Sequence, residues 1–155
     1  MEIPQRGNMW GAGVKQGDLG FVFGERGLGK TWLTLDLATG LANGRRVGPW
    51  DVSKSRRVLY VDGEMPLDGM RDRLAAIEGA SDSLLVLNHE WLFQDKGCVL
   101  NLSGGTPQSA LVGLFESERI EVLILDNLSC LFSGMKETEA DAWEIVLPWL
   151  LELRR

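Results

Sequence analysis

Histidine, cysteine and tyrosine are almost missing from this chain of 155 residues, which holds one, two and one of them. His89 stands alone, and Cys98 and Cys130 form no CxxC pair, so a His/Cys metal cage within one chain is excluded. Two cysteines also make no disulfide framework. Long apolar runs are lacking: none approaches the ~18 residues that a membrane-crossing helix needs, and the start MEIPQRG has no charged-then-apolar layout of a secretory signal. A basic excess is lacking too. Sixteen Lys and Arg against 22 Asp and Glu give a net charge of −6 and a pI near 4.8. That balance argues against a polyanion-binding surface over the whole molecule, though not against a local basic patch. These absences lead to the expectation of a reduced, cytoplasmic protein with no membrane partner.

What is present is ordinary for one globular domain over residues 1–155: 45% hydrophobic and 25% charged residues. Glycine is the exception. Its 19 residues are about 12% of the chain, against roughly 7% in average usage, and eleven fall within the first 48 positions. Such clustering points to special backbone geometry in that region.

Short β-like runs alternate with helical stretches, the pattern of a parallel α/β sheet. The pattern predicts a strand over 19–23, a glycine-rich loop over 24–29 and a helix over 30–43 capped by Gly44. A second strand is expected over 57–62, followed by a helix opened by Pro66 and ended by Gly79. Residues 84–87 read as a third strand. Residues 88–105 are ambiguous, with a hairpin conceivable around Lys96-Gly97. Thr106 and Pro107 read as the cap and first residue of a helix ending near Ser117. A fourth strand over 121–125 delivers Asp126, and a last helix starts at Thr138, with Thr138 and Asp141 as a capping box and Pro148 as a kink.

Gly24-Glu25-Arg26-Gly27-Leu28-Gly29-Lys30-Thr31 satisfies G-x-x-x-x-G-K-[ST] in full, after an expected strand and at the opening of a helix. Phosphate binding calls for this arrangement because glycines let consecutive N–H groups converge on an anion, and a helix N-terminus adds further donors and a positive dipole end. Lys30 can reach the β- and γ-phosphates, and the Thr31 hydroxyl can ligate Mg²⁺. A metal there needs a carboxylate from the same edge of the sheet, and Asp126, delivered by Val-Leu-Ile-Leu, meets that need; its bland alternative is a strand-ending turn residue. Glu64, just past the second strand in Val-Asp-Gly-Glu, is the candidate general base, with Asp62 as a metal-side or structural partner. The alternative for Glu64 is a solvated loop glutamate.

These residues carry a resemblance. KQGDLGFVFGERGLGKTWLTLDLA, RRVLYVDGEMPLDGMRDRL and VLILDNLSCLF, in that order, resemble the RecA-type P-loop ATPases, and within them the RepA-like branch of plasmid replicative helicases and related AAA-type ATPases. The likeness runs over about residues 15–153. It implies a three-layer α/β/α fold around a mainly parallel sheet, with Lys30 and Thr31 as Walker A, Asp126 as Walker B and Glu64 as the catalytic glutamate. It also implies ATP and Mg²⁺, a ring of identical subunits with an arginine supplied in trans, and DNA as a partner.

The same resemblance implies more chain than is here, since such ATPases continue into a strand with a polar sensor residue that lies between the Walker A and Walker B strands. The expectation is an incomplete core. A slot of about 9.6 Å would be left empty, be closed by direct pairing of 19–23 with 122–125, or take a strand from another chain. Nucleotide binding would survive and turnover by this chain alone would be weak. Two other readings compete: a non-hydrolysing nucleotide-binding or assembly module, and a small-molecule P-loop kinase, for which no arginine-rich lid segment is evident. Arg45-Arg46, the basic run 54–57 and the segment 133–136 are weak candidates for nucleic-acid contact. Trp32, Trp143 and Trp149 read as core rather than as stacking platforms, and Cys130 lacks a histidine base.

Overall fold

A computed structural model describes residues 5–77, 81–132 and 140–154. Its centre is a parallel sheet of three strands, β3 (Val58–Asp62), β4 (Leu84–Asn88) and β5 (Val122–Asp126), in the order β4-β3-β5. Registers are even: Val58 stands opposite both Leu84 and Val122, and Asp62 opposite both Asn88 and Asp126. The C-terminal ends of all three strands therefore finish level. An N-terminal hairpin of β1 (Asn8–Trp10) and β2 (Val14–Lys15) sits apart from this sheet, held to the 47–53 loop by a Trp10–Val52 bridge and the Gly11 N–H to Asp51 carbonyl bond.

The alternation of side chains along each strand makes three layers. Val58 and Tyr60 of β3 face one side with Val86 and Ile124, against α1 (Lys30–Asn43) and α2 (Leu67–Ala76) through Leu35, Ala38, Leu41 and Met70. Leu59 and Val61 face the other side with Leu87 and Leu125, against α4 (Gly105–Ser117), α5 (Leu128–Leu131) and α6 (Ala140–Leu153) through Leu111, Leu131, Val146 and Trp149. Every residue of β3 is buried, whereas the flanking strands are half-buried apart from Asn88 at the end of β4. This is why the 57–62 run has few polar breaks between Arg57 and Asp62: both faces are covered.

Most expected elements are present, with ends moved by a residue or two. The helix over 30–43 is α1, and Gly44 takes the left-handed conformation (φ 65°) that lets its N–H reach the carbonyls of Gly40 and Leu41. Proline 66 precedes α2 as its cap rather than opening it. In α4 the cap is Gly104, so Thr106 and Pro107 lie inside the first turn. Pro148 lies inside α6. Gly79, the segment 133–136 and Thr138 lie outside the described residues, and with them the expected cap of α6.

Two expectations fail. No hairpin forms around Lys96-Gly97: residues 89–96 are helix α3 (His89–Lys96), started by Asn88, whose side-chain oxygen accepts from Glu90 and Trp91 N–H, and stopped by Gly97 at φ 65°. The Asn cap and glycine stop outweigh a poorly amphipathic sequence. More consequential, residues 19–23 form no strand. β5 pairs with β3 on one side, and among the described residues no strand pairs along its other side, so 19–23 and β5 are not directly paired. A strand exists only through a ladder partner. Without one, this segment keeps Leu19 against the α4–α6 core and sets the Phe21 ring edge-on to Trp143, 5.1 Å between centroids. Val22 and Phe23 are left exposed.

Candidate nucleotide-binding site

The glycine-rich loop 24–29 leads straight into α1, whose cap, Gly29, has φ 85° and ψ 20°. A residue with a Cβ strains at this left-handed geometry, and Gly27 at φ 83° has the same requirement. The first turn of α1 carries no side-chain cap and no acidic residue, so its N–H groups and dipole are not neutralised from within. Lys30 folds back over the loop, its Nζ donating to the carbonyls of Gly24 (2.7 Å) and Glu25 (2.9 Å). Arg26 and Leu28 form the exposed outer turn, and Thr31 follows Lys30, half-buried in the first helical turn.

Asp126 ends β5 beside Asp62, the end of β3. Its carboxylate Oδ2 accepts from the buried Tyr60 hydroxyl at 2.6 Å, and that hydroxyl also bonds Thr34 Oγ1 at 2.9 Å. Burial first, then the nearby Asp126 charge, pushes the Tyr60 phenol far above its ordinary range, so it stays protonated and donates. Glu64 is exposed after β3 and accepts from the Asn127 side-chain amide, while the Asn127 oxygen caps α5 through the Cys130 N–H at 2.9 Å.

Asp62, by contrast, points inward. It is 1% exposed and accepts from the Met65 N–H and from Asn88 Nδ2 at 2.7 Å, a turn-closing role. Burial raises its carboxyl above the usual range against the pull of the Met65, Glu64 and Asn88 donors. Of the two roles open to Asp62, the contacts match the structural one. Burial, and then the Glu64 charge, push the Cys130 thiol above its ordinary range.

Sequence reading passed over Tyr60, Thr34, Asn88 and Asn127. A signal existed for Tyr60, a polar tip inside an otherwise apolar strand, and for Asn127, directly after the strand-ending aspartate. Trp149 is buried and Trp143 packs partly against the core, but Trp32 is 44% exposed, with the Arg73 guanidinium 5.2 Å from its ring centroid. Trp32 is therefore not core. The basic clusters are largely taken up by ion pairs: Arg45 with Asp36, Arg46 with Asp51, Arg56 with Glu121 and Arg57 with Glu118.

The donor set fits a magnesium ion shared with phosphate. Mg²⁺ takes one or two protein oxygens and keeps the rest for water and phosphate. Among the described residues no group of three or more His, Cys, Asp or Glu side chains could hold a metal alone. No helix among those residues is long and apolar enough to cross a membrane.

A parallel α/β sheet with a glycine-rich loop opening a helix over its C-terminal end defines the P-loop nucleotide-binding class. The family model described as AAA domain matches residues 2–155, and the chain belongs to that family of P-loop ATPase-type domains. Neither the curated proteins nor the solved structures give a match.

Proposed function

We propose that this chain binds and hydrolyses ATP as the core of a RecA/RepA-like ATPase. What carries the reading is that Tyr60 joins Thr34 of α1, the helix that the loop 24–29 opens, to Asp126 at the end of β5, while Asn127 joins that strand end to Glu64 after β3. In this reading the loop from Gly24 through Glu25, Arg26, Gly27 and Leu28 to Gly29 cradles the phosphates with its N–H groups. Lys30 exchanges two carbonyl partners for phosphate oxygens, a charge-assisted gain. Thr31 and Asp126 would hold Mg²⁺, which when bound would supply positive charge beside the transferred phosphoryl group. Glu64 takes the proton of the attacking water, its carboxylate aimed by the Asn127 amide.

The test is nucleotide binding and phosphate release by the wild type and Lys30→Ala. Lys30→Ala should weaken ATP binding roughly 10- to 100-fold, the size of a lost hydrogen bond to a charged group. Wild-type binding that ignores Lys30 would refute the reading.

A second reading, a nucleotide-binding module without turnover, is favoured by one observation. The segment 19–23 that leads into the loop has no ladder partner among the described residues, so on that side the loop is held by the packing of Leu19 and Phe21 and not by sheet hydrogen bonds. Lys30-dependent binding with no phosphate release selects it. Assembly into a ring with an arginine in trans, and service to DNA replication or helicase action, belong to the proposed RepA-like role. The pairing of the basic clusters leaves DNA with little support in this chain, and DNA-stimulated turnover would be the evidence for it.

A further inference from the structure

Tyr60 is the sole tyrosine of the chain, fully buried in the central strand. A phenylalanine would fill nearly the same space in this apolar run, so the hydroxyl is the part to explain. Burying a hydroxyl costs stability unless it is bonded, and both bonds of this one go to side chains that flank the candidate site. A phenol has one proton. That proton goes to Asp126, whose Oδ2 accepts it at 2.6 Å, the shorter of the two contacts. Thr34 Oγ1 then donates, sharing its proton between the Tyr60 oxygen at 2.9 Å and the Thr31 carbonyl at 3.1 Å. A continuous line results, from Thr31 through Thr34 and Tyr60 to Asp126, crossing from the first turn of α1 to the end of β5.

Asp126 needs such a tie. It ends a strand that pairs on one side only among the described residues, and no other donor there bonds its carboxylate. We propose that Tyr60 is the positioning residue of the metal arm: it fixes Asp126 against the P-loop helix, occupying one carboxylate oxygen so that the other is turned to the magnesium ion or its water. This rests on the P-loop reading above. Tyr60 touches neither nucleotide nor metal and acts through Asp126.

The experiment measures the affinity of mant-ADP with Mg²⁺ and with EDTA, for the wild type, Tyr60→Phe and Thr34→Val. The readout is the gain that Mg²⁺ confers, which a merely structural tyrosine would leave alone. Tyr60→Phe should cut that gain about 10-fold, the low end for loss of a partner that orients a metal ligand. Thr34→Val, which keeps the Tyr60–Asp126 bond and cuts the line to Thr31, should cut it by less. A folded Tyr60→Phe with the gain unchanged or increased overturns the proposal. Should Tyr60→Phe fail to fold, an unchanged gain in Thr34→Val overturns it. Because the chain has one tyrosine, ¹³Cζ-tyrosine labelling gives a single NMR line; it should move on adding Mg²⁺ with ADP and move in Asp126→Asn, and a line indifferent to both contradicts the tie. A wild type that does not bind mant-ADP at all refutes the P-loop reading itself, an outcome distinct from binding that ignores Tyr60.

Discussion

At the scale of single residues, the site is a set of side chains whose partners decide what they can do. Glu64 and Asp62 stand two apart, yet one is exposed and aimed by Asn127 and the other is 1% exposed and consumed by Met65 and Asn88. Only the exposed one can meet a water. Glu64→Gln should therefore keep ATP binding and lower turnover by about 100-fold or more, the usual range for a general base; full activity in a phosphate-release assay would remove Glu64 from the role. Asn88→Ala has a different expectation. It strips α3 of its cap and leaves the buried Asp62 short of a donor, so unfolding in urea should show a loss of about 2–4 kcal/mol. These distinctions were not legible in Val-Asp-Gly-Glu, since the spacing presents two carboxylates and says nothing of which one turns inward.

Among the elements, α1 shows how much of a glycine's meaning lies outside its own helix. Gly40 is interior to α1, where alanine would gain about 1 kcal/mol in helix propensity. A Cβ there would lie 2.1 Å from Val47 Cγ2 and 3.1 Å from the Arg45 carbonyl. Val47 is buried and has little room to give. Overpacking of this kind costs about 1–3 kcal/mol, so Gly40→Ala should lower the melting temperature despite the better propensity. Gly113 in α4 has nothing within 4 Å of such a Cβ. Gly113→Ala should raise stability by about 0.5–1 kcal/mol, seen as a rise of a few degrees in a thermal melt. The helices α1, α2 and α4 and the strands β3 and β5 were legible because propensity, caps and burial agree there. The segment 19–23 has the same composition as a strand, but a ladder is a relation between two segments and no periodicity within one of them reports it.

For the whole molecule, the sheet is tied at its base by Arg56 and Glu121. Arg56 Nη1 bonds Glu121 at 2.8 Å, and the Arg57 N–H reaches the same carboxylate at 3.2 Å. Burial raises the Glu121 carboxyl, but the bonds from Arg56 and Arg57 and the charges of Arg56 and Lys54 outweigh it, leaving it below its ordinary 4.5. A lowered carboxyl gives stability that is full above the unfolded value and lost as pH falls through the folded one. Glu121→Gln should thus be less stable than the wild type at neutral pH and converge with it in acid. At 37% exposure of the Glu121 side chain, solvent screening holds the difference to about 1 kcal/mol or less. Urea midpoints across the acid range test this; a gap that persists in acid would assign the effect to packing instead.

The sequence by itself determined the α/β class, the P-loop and its helix, and the strand ends that present Asp126 and Glu64, because each rests on local chemistry: glycine dihedrals, helix caps and apolar runs covered on both faces. Tertiary structure alone decided that 19–23 stays out of the sheet, that Asp62 closes a turn, that the basic clusters pair with carboxylates, and that Tyr60 joins α1 to Asp126. The partners that decide most of this are distant in sequence: 26 residues separate Asp62 from Asn88 and Thr34 from Tyr60, 65 separate Arg56 from Glu121 and 66 separate Tyr60 from Asp126. Only the folded chain brings such groups within bonding distance.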